Sequence, residues 1–292
     1  MSKIKDFNNR AGYIWIDGKF VKWNKAKIHV LSHGLHYASC VFEGARVYNG
    51  KIFKLNEHTK RLFFSSKTLG FKIPYSEKEI NYACNQIIKK QKIINGYLRP
   101  FAWRGSEMMA ISAQNTTIHV AIATWEMSTY FDKKKKLNGI KLQTSKWMRP
   151  PSNTAPTDAK AAGLYMICTL SKHHAEKNGF DDSLMLDSKG NIAESTGANI
   201  FFVKNNNLYT PTPDCFLNGI TRQTVIELAK KNKIRVIEKR ILPKELFKAD
   251  EVFLTGTAVE ITPISLIDKK KFKVGKVTKK LMYLFSNLVK SN

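Results

Sequence analysis

A lysine that does chemistry must be told apart from the many that only meet water. Thr157-Asp158-Ala159-Lys160-Ala161-Ala162-Gly163-Leu164-Tyr165 sets one lysine among small and apolar neighbours. The run predicts the opening of a helix, from about Ala159 to Asn178, with Gly179 as its stop. Partial desolvation and the positive end of that helix would both favour a neutral, nucleophilic amine at Lys160. One more surface lysine in a lysine-rich chain is the plainer reading, and the local residues leave both open. Glu194 lies in the polar stretch Asn191-Ile192-Ala193-Glu194-Ser195-Thr196-Gly197-Ala198-Asn199, between two strand-like runs. Its carboxylate could hold a proton on a ring nitrogen, or could simply belong to a turn. Two further stretches suit an anion. Asn218-Gly219-Ile220-Thr221-Arg222 precedes an amphipathic helix; Gly219 would ease the turn and Thr221 would cap it, leaving amides that attract phosphate. Thr255-Gly256-Thr257-Ala258 follows the apolar run Val252-Phe253-Leu254 and offers hydroxyls and amides. Either stretch alone could be an ordinary cap or turn. There is no GxxxxGK(S/T) loop and no GxGxxG turn, so a nucleotide is not the expected ligand. Cys40, Cys84, Cys168 and Cys215 form no CxxC pair, and the histidines show no zinc spacing. Reduced thiols and no metal are therefore expected.

These residues need elements to hold them. Tyr13-Ile14-Trp15-Ile16, Asp17-Gly18 and Lys19 to Trp23 read as a hairpin with a favoured turn dipeptide. Val41 to Tyr48, Asn49-Gly50 and Lys51 to Leu55 repeat the device. Asn56 is the expected cap of a helix to about Leu69, stopped by Gly70. Ser76-Glu77-Lys78-Glu79 is a capping box, followed by Ile80, Cys84, Ile87 and Ile88 on one helical face. Strands are expected near Tyr97–Arg104 and Ile118–Trp125. Residues 129–139 are polar and lysine-rich and are read as a linker. Domains are thus expected at 1–128 and 140–292, the second carrying Lys160. Beyond the linker, short strands surround Leu184–Leu186 and Asn199–Val203, and a last helix runs from about Thr278 to Val289. Irregular mixing of strands and helices, with hairpins among them, favours α+β over a doubly wound parallel sheet.

Composition removes several classes. The chain has 292 residues, 43% hydrophobic and 25% charged, a globular balance. No apolar run reaches the roughly 18 residues that span a bilayer, so no membrane association is expected. Met1 to Asn9 has no apolar signal core, so a cytoplasmic location is expected. Lysine and arginine total 49 against 23 acidic residues, a formal +26. Such a charge can mark a nucleic-acid binder. Here the basic residues are spread along the chain, with short runs at Lys133–Lys136 and Lys269–Lys271 and no accompanying motif. A solvated coat, without a nucleic-acid partner, is the expectation.

The blocks in order decide more than any block alone. Leu31-Ser32-His33-Gly34-Leu35-His36-Tyr37, Val41-Phe42-Glu43-Gly44-Ala45-Arg46, Glu57-His58-Thr59-Lys60-Arg61-Leu62, Tyr97-Leu98-Arg99-Pro100, Ala159 to Gly163, Glu194 to Phe201, Gly219 to Arg222 and Phe253 to Pro263 span most of the sequence. Together they resemble the branched-chain amino-acid aminotransferases, of the class IV pyridoxal-phosphate family. That family also includes D-amino-acid aminotransferase and aminodeoxychorismate lyase.

The resemblance implies an α+β, two-domain enzyme of fold type IV. The N-terminal domain would be an α/β sandwich-like layer and the C-terminal domain would carry a barrel-like sheet. Lys160 would bind pyridoxal phosphate as an imine and later move the substrate's Cα proton. Glu194 would pair with the ring nitrogen and Tyr165 with the phenolic oxygen. Arg61, Ile220, Thr221 and Thr257 would hold the phosphate. Tyr37, Phe42 and Tyr130 would line the slot for a branched side chain. Gly44 and Arg46 belong to the motif bordering the site, with Thr257 and Ala258 receiving the α-carboxylate. Arg99 with Tyr97 would meet the γ-carboxylate of glutamate. Met127 stands where a tryptophan is common in the resembled enzymes, leaving a slimmer, more adaptable wall. The implied activity moves an amino group between L-leucine, L-isoleucine or L-valine and 2-oxoglutarate. A homodimer or larger homo-oligomer is implied, with amino acids and 2-oxo acids as its small-molecule partners. The paired Gly44-Ala45-Arg46 and Tyr97-Leu98-Arg99 motifs favour this over the D-amino-acid and lyase alternatives.

Overall fold

The computed structural model describes residues 6–291. Met1 to Lys5, on which the expectation of no secretion signal partly rests, lie outside the described residues. Two compact units emerge, Met1–Ser128 with Ala159–Gly163, and Thr129–Asp158 with Leu164–Asn292. The short segment bearing Lys160 therefore groups with the first unit, although the sequence reading put it in the second domain.

The first unit is built on a seven-stranded antiparallel sheet. Its order runs Lys19–Lys22, Tyr13–Ile16, Ile118–Glu126, Gly96–Arg104, Ala45–Tyr48, Lys51–Ile52, and Cys40–Phe42 also pairs with Gly96–Arg104. Both expected hairpin turns form. Asp17 and Gly18 have φ of 46° and 86°, and Asn49 and Gly50 have 50° and 76°, which these residue types adopt readily. Helices Leu55–Thr68 and Glu77–Lys90 pack on the sheet. The second opens with the expected capping box, Ser76 and Glu79 satisfying each other's amides. Its buried Ile80, Cys84 and Ile87 meet Leu62, Val47, Leu98, Val120 and Ile122 in one core. The first helix differs from expectation. Its N-cap is Lys54 in the left-handed region at φ 56°, and Asn56 lies inside the helix with its side chain on Asn81.

The second unit holds a nine-stranded mixed sheet in which six strands close into a barrel, the architecture expected for the C-terminal domain. Around the ring run Ile192–Ser195, Asp182–Leu186, Ile140–Thr144, Glu260–Ile267, Glu251–Gly256 and Asn199–Lys204. The ring closes where Glu194 pairs with Asn199. Closure removes exposed edges and fixes both side chains at the seam. Ile140, Leu142, Leu184, Ile200, Leu254 and Ile264 fill its core. Residues read as a linker are partly helical, since Lys133–Asn138 forms a short helix capped by the Asp132 carboxylate. The helix expected from Ala159 begins later, as a 3-10 turn Ala162–Tyr165 followed by Met166–Lys177. Among the described residues no helix is long and apolar enough to cross a membrane, and no cluster of His, Cys, Asp and Glu could hold a metal ion.

Candidate functional site

Lys160 precedes its helix and is not part of the first turn that the sequence suggested. Its backbone is pinned instead from two sides. The Lys160 N–H donates to Ser65 Oγ at 2.9 Å, and its carbonyl accepts from the Phe42 N–H at 3.1 Å. Ala161 forms a bridge with Val41. Lys160 Nζ stands 4.8 Å from the centroid of the Phe42 ring. Burial pushes the amine down from 10.5 to about 8; the cations of Arg61 and Arg99 also lower it, while Glu43 and Tyr97 pull the other way. A lysine so poised is neutral in a useful fraction near neutral pH.

Around it the first unit gathers several expected residues. Arg61 sits on the helix Leu55–Thr68, where its Nε and Nη2 donate to Glu43 at 2.6 and 3.0 Å. Arg99 lies over the Phe42 ring at 4.7 Å and reaches the Tyr97 hydroxyl at 3.5 Å. Gly44 is required by that hydroxyl, since a Cβ there would stand 1.8 Å from Tyr97 Oη. Lys160, Phe42, Gly44, Tyr97 and Arg99 thus form one constellation. Arg46 faces elsewhere: it is buried and donates to the Met127 and Ser128 carbonyls, bracing the chain beside Met127. Met127 itself is half-buried. Tyr37 is exposed and stacks on His33 at 4.6 Å.

The second unit gathers the rest. Glu194 is 8% exposed, inside the strand Ile192–Ser195 rather than in the turn that follows. Arg149 Nε lies 3.4 Å from one of its oxygens, and Asn199 Nδ2 donates to the other at 3.4 Å. Burial is the largest single influence and disfavours the Arg149 charge, but Glu194, Cys168, Tyr165 and Cys215 together hold it above its ordinary value. Asn199 also donates to the Leu217 carbonyl at 3.0 Å and accepts from the Gly219 N–H at 3.1 Å. One amide side chain therefore ties the buried carboxylate to the anion turn. Gly219, not Thr221, is the N-cap of the helix Ile220–Lys231. Its φ of −59° is ordinary, so its need for glycine is space: a Cβ would lie 2.2 Å from Asn199 Oδ1. Ile220 and Thr221 occupy the first turn, where amides lack intrahelical partners and no acidic side chain competes with an anion. Thr257 and Ala258 form a half-buried turn after the strand Glu251–Gly256. Tyr165 ends the 3-10 turn and is half-buried. Tyr130 is exposed and packs edge-on against Phe131.

Five contributors escaped the residue-level reading: Glu43, His58, Ser65, Arg149 and Asn199. Glu43 and His58 stood inside matched blocks, but no local pattern marks a carboxylate buried by a helix that arrives later in the chain. The 58, 61, 65 spacing on one helical face was the usable signal.

Known proteins are similar to this chain in sequence and in fold. The family model described as amino-transferase class IV matches residues 40–267. A branched-chain-amino-acid aminotransferase of Pseudomonas aeruginosa is 41% identical over 288 residues, covering 96% of this chain and 94% of that protein. A probable branched-chain-amino-acid aminotransferase of Rickettsia bellii is 44% identical over 271 residues, covering 92% of each. The crystal structure of a T.th. branched-chain amino acid aminotransferase with pyridoxamine 5'-phosphate superposes with a TM-score of 0.93 at 37% identity. It covers 97% of this chain and 95% of that one.

Proposed function

The chain belongs to the class IV aminotransferase family, and from that premise we propose the roles of its individual residues. It is a pyridoxal-phosphate-dependent transaminase that exchanges an amino group between L-branched-chain amino acids and 2-oxoglutarate, as the names of its relatives at 41% and 44% identity support. The donor set fits the cofactor. An aldehyde suits an amine held at about 8. A protonated ring nitrogen suits a buried carboxylate, and a phosphate suits a helix start with no acidic side chain. When bound, pyridoxal phosphate supplies an aldehyde carbon that accepts amines and a ring that draws electron density from the substrate's Cα–H bond.

Lys160 would hold the cofactor through Nζ, and its free amine would take the Cα proton of the amino acid as general base. Glu194 keeps a proton on the ring nitrogen, and Tyr165 donates to the phenolic oxygen. Arg61, the amides of Ile220 and Thr221, and Thr257 hold the phosphate. Phe42, Tyr37 and Tyr130 border the apolar side chain, with Met127 and Arg46 behind them. Arg99 and Tyr97 receive the γ-carboxylate of glutamate, and the Thr257 and Ala258 amides the α-carboxylate, with Gly44 leaving room for Tyr97. The same reading places the enzyme in the cytoplasm as a homodimer or larger homo-oligomer, which light scattering of the purified protein tests.

One observation carries the reading: a lysine with a depressed amine, its main chain tied to Ser65 and Phe42, where the family requires a reactive one. The test is a panel of amino donors with 2-oxoglutarate. L-leucine, L-isoleucine and L-valine should be turned over with formation of glutamate. Dominance of D-alanine, or pyruvate release from aminodeoxychorismate, would overturn it.

A further inference from the structure

We propose that Glu43 and His58 form a positioning pair that fixes the plane of the Arg61 guanidinium for an anionic group, on the premise that Arg61 holds the cofactor's phosphate. Glu43 is fully buried and directly follows the strand Cys40–Phe42. Its carboxylate accepts from Arg61 Nε at 2.6 Å, Arg61 Nη2 at 3.0 Å, His58 Nδ1 at 2.6 Å and the Gly44 N–H at 3.2 Å. Both oxygens are engaged, Oε1 by one of these bonds and Oε2 by three. Two of the five guanidinium N–H donors go to this fork, which sets the plane and direction of the remaining three. His58 is 2% exposed and lies three residues before Arg61 on the same helix, so both rise on one face. Ser65 continues that face and takes the Lys160 N–H.

Charge alone argues against this arrangement. A carboxylate within 3.0 Å of Arg61 cancels much of its attraction for an anion. Stability alone is also a weak reason, because a buried ion pair contributes little net stability after desolvation. The placement makes sense when the direction of the guanidinium matters more than its net charge. Such aiming needs a carboxylate that stays ionised. Burial would raise Glu43, but the Arg61 and His58 contacts hold it well below the usual carboxylate range. The stretch Val41-Phe42-Glu43 then does two things at once, anchoring the Lys160 main chain and aiming Arg61.

The test uses the full-length chain stripped of cofactor, with pyridoxal phosphate, pyridoxal and inorganic phosphate as probes. The quantity read is the ratio of pyridoxal to pyridoxal phosphate dissociation constants, which isolates what the phosphate contributes. Arg61→Gln should lower the ratio. Glu43→Gln should also lower it, by about tenfold, although it removes a negative charge beside the anion site. In the Arg61→Gln background Glu43→Gln should have no further effect on the ratio. Glu43→Asp keeps the charge, shortens the arm and should lose several-fold; it serves if the glutamine variant fails to fold. Inorganic phosphate should compete less well in each single variant than in the wild type. A ratio that rises or stays constant in both Glu43 variants, with only the melting temperature lowered, makes the pair structural and overturns the proposal. A wild-type ratio that does not respond to Arg61→Gln removes the premise itself, and the two failures are told apart by that variant.

Discussion

The amine of Lys160 should titrate far below an ordinary lysine, and the consequence is measurable. Burial and the neighbouring Arg61 and Arg99 cations push it from 10.5 to about 8. At pH 7.5 an amine at 8 is neutral in about a quarter of molecules, whereas a solvated lysine is neutral in about one in a thousand. The nucleophilic population is thus raised about two-hundredfold. The assay is the rate at which the cofactor-free full-length protein captures pyridoxal at Lys160. Borohydride fixes the adduct, and peptide mass spectrometry quantifies it from pH 6 to 11, beside a lysine model peptide. The sign follows from which form reacts. Only the neutral amine attacks, so capture rises with pH, passes its half-point near 8 and then levels. The model peptide should still be climbing where Lys160 has reached its plateau. Arg61→Gln removes a cation that disfavours the ammonium form, so the half-point should move up. It should not recover the solvated value, because burial is the larger cause. A half-point near that of the peptide in the wild type would refute the reasoning, since it would mean the amine reaches water freely.

Three further outcomes follow from the same geometry. Glu194→Gln leaves a neutral amide beside Arg149 and should cut turnover by about a hundredfold or more while the cofactor still binds, measured by absorbance and steady-state kinetics. Gly44→Ala places a Cβ 1.8 Å from Tyr97 Oη and must displace that ring, so the Michaelis constant for glutamate should rise more than that for leucine. Ser76→Ala removes the cap of the helix Glu77–Lys90 and should cost about 1 kcal/mol, read by thermal or urea unfolding, with turnover per folded molecule unchanged.

Local rules worked at the two hairpin turns and one cap, but not at the caps expected of Asn56 and Thr221. The Asp17-Gly18 and Asn49-Gly50 turns and the Ser76 capping box are settled within four residues, and each formed as expected. The same rules misplaced the start of the Lys160 helix by three residues or more. The residues from Ala159 to Ala162 have good helical propensity. Hydrogen bonds from Phe42 and to Ser65, both about a hundred residues earlier, claimed that main chain first. Gly219 shows the same limit from the other side. Its position was legible, but its reason was not, because the atom that forbids a Cβ belongs to Asn199, twenty residues away. Block order reached further than propensity, since it carries tertiary information that no single window holds. It named Lys160, Glu194 and Arg61 together while leaving Glu43 and Asn199 without roles.

The excess of cations sharpens this point. With 49 lysines and arginines against 23 acids, Lys160 cannot be distinguished by charge or by local sequence. What distinguishes it is the cost of holding a proton. An ammonium in water is solvated on all sides, but Lys160 Nζ faces the Phe42 ring and burial takes part of that solvent away. Two arginines nearby then oppose a third positive charge. Glu43 favours that charge, but burial and the Arg61 guanidinium bonded to it weigh more heavily against it. The carboxylate that favours the ammonium is paired with a cation that opposes it more strongly, and the lysine is left the weaker base. Arg61→Gln removes the cation that outweighs Glu43 and should therefore raise the Lys160 half-point. A fall in the half-point in that variant would show that the fork does not control the amine.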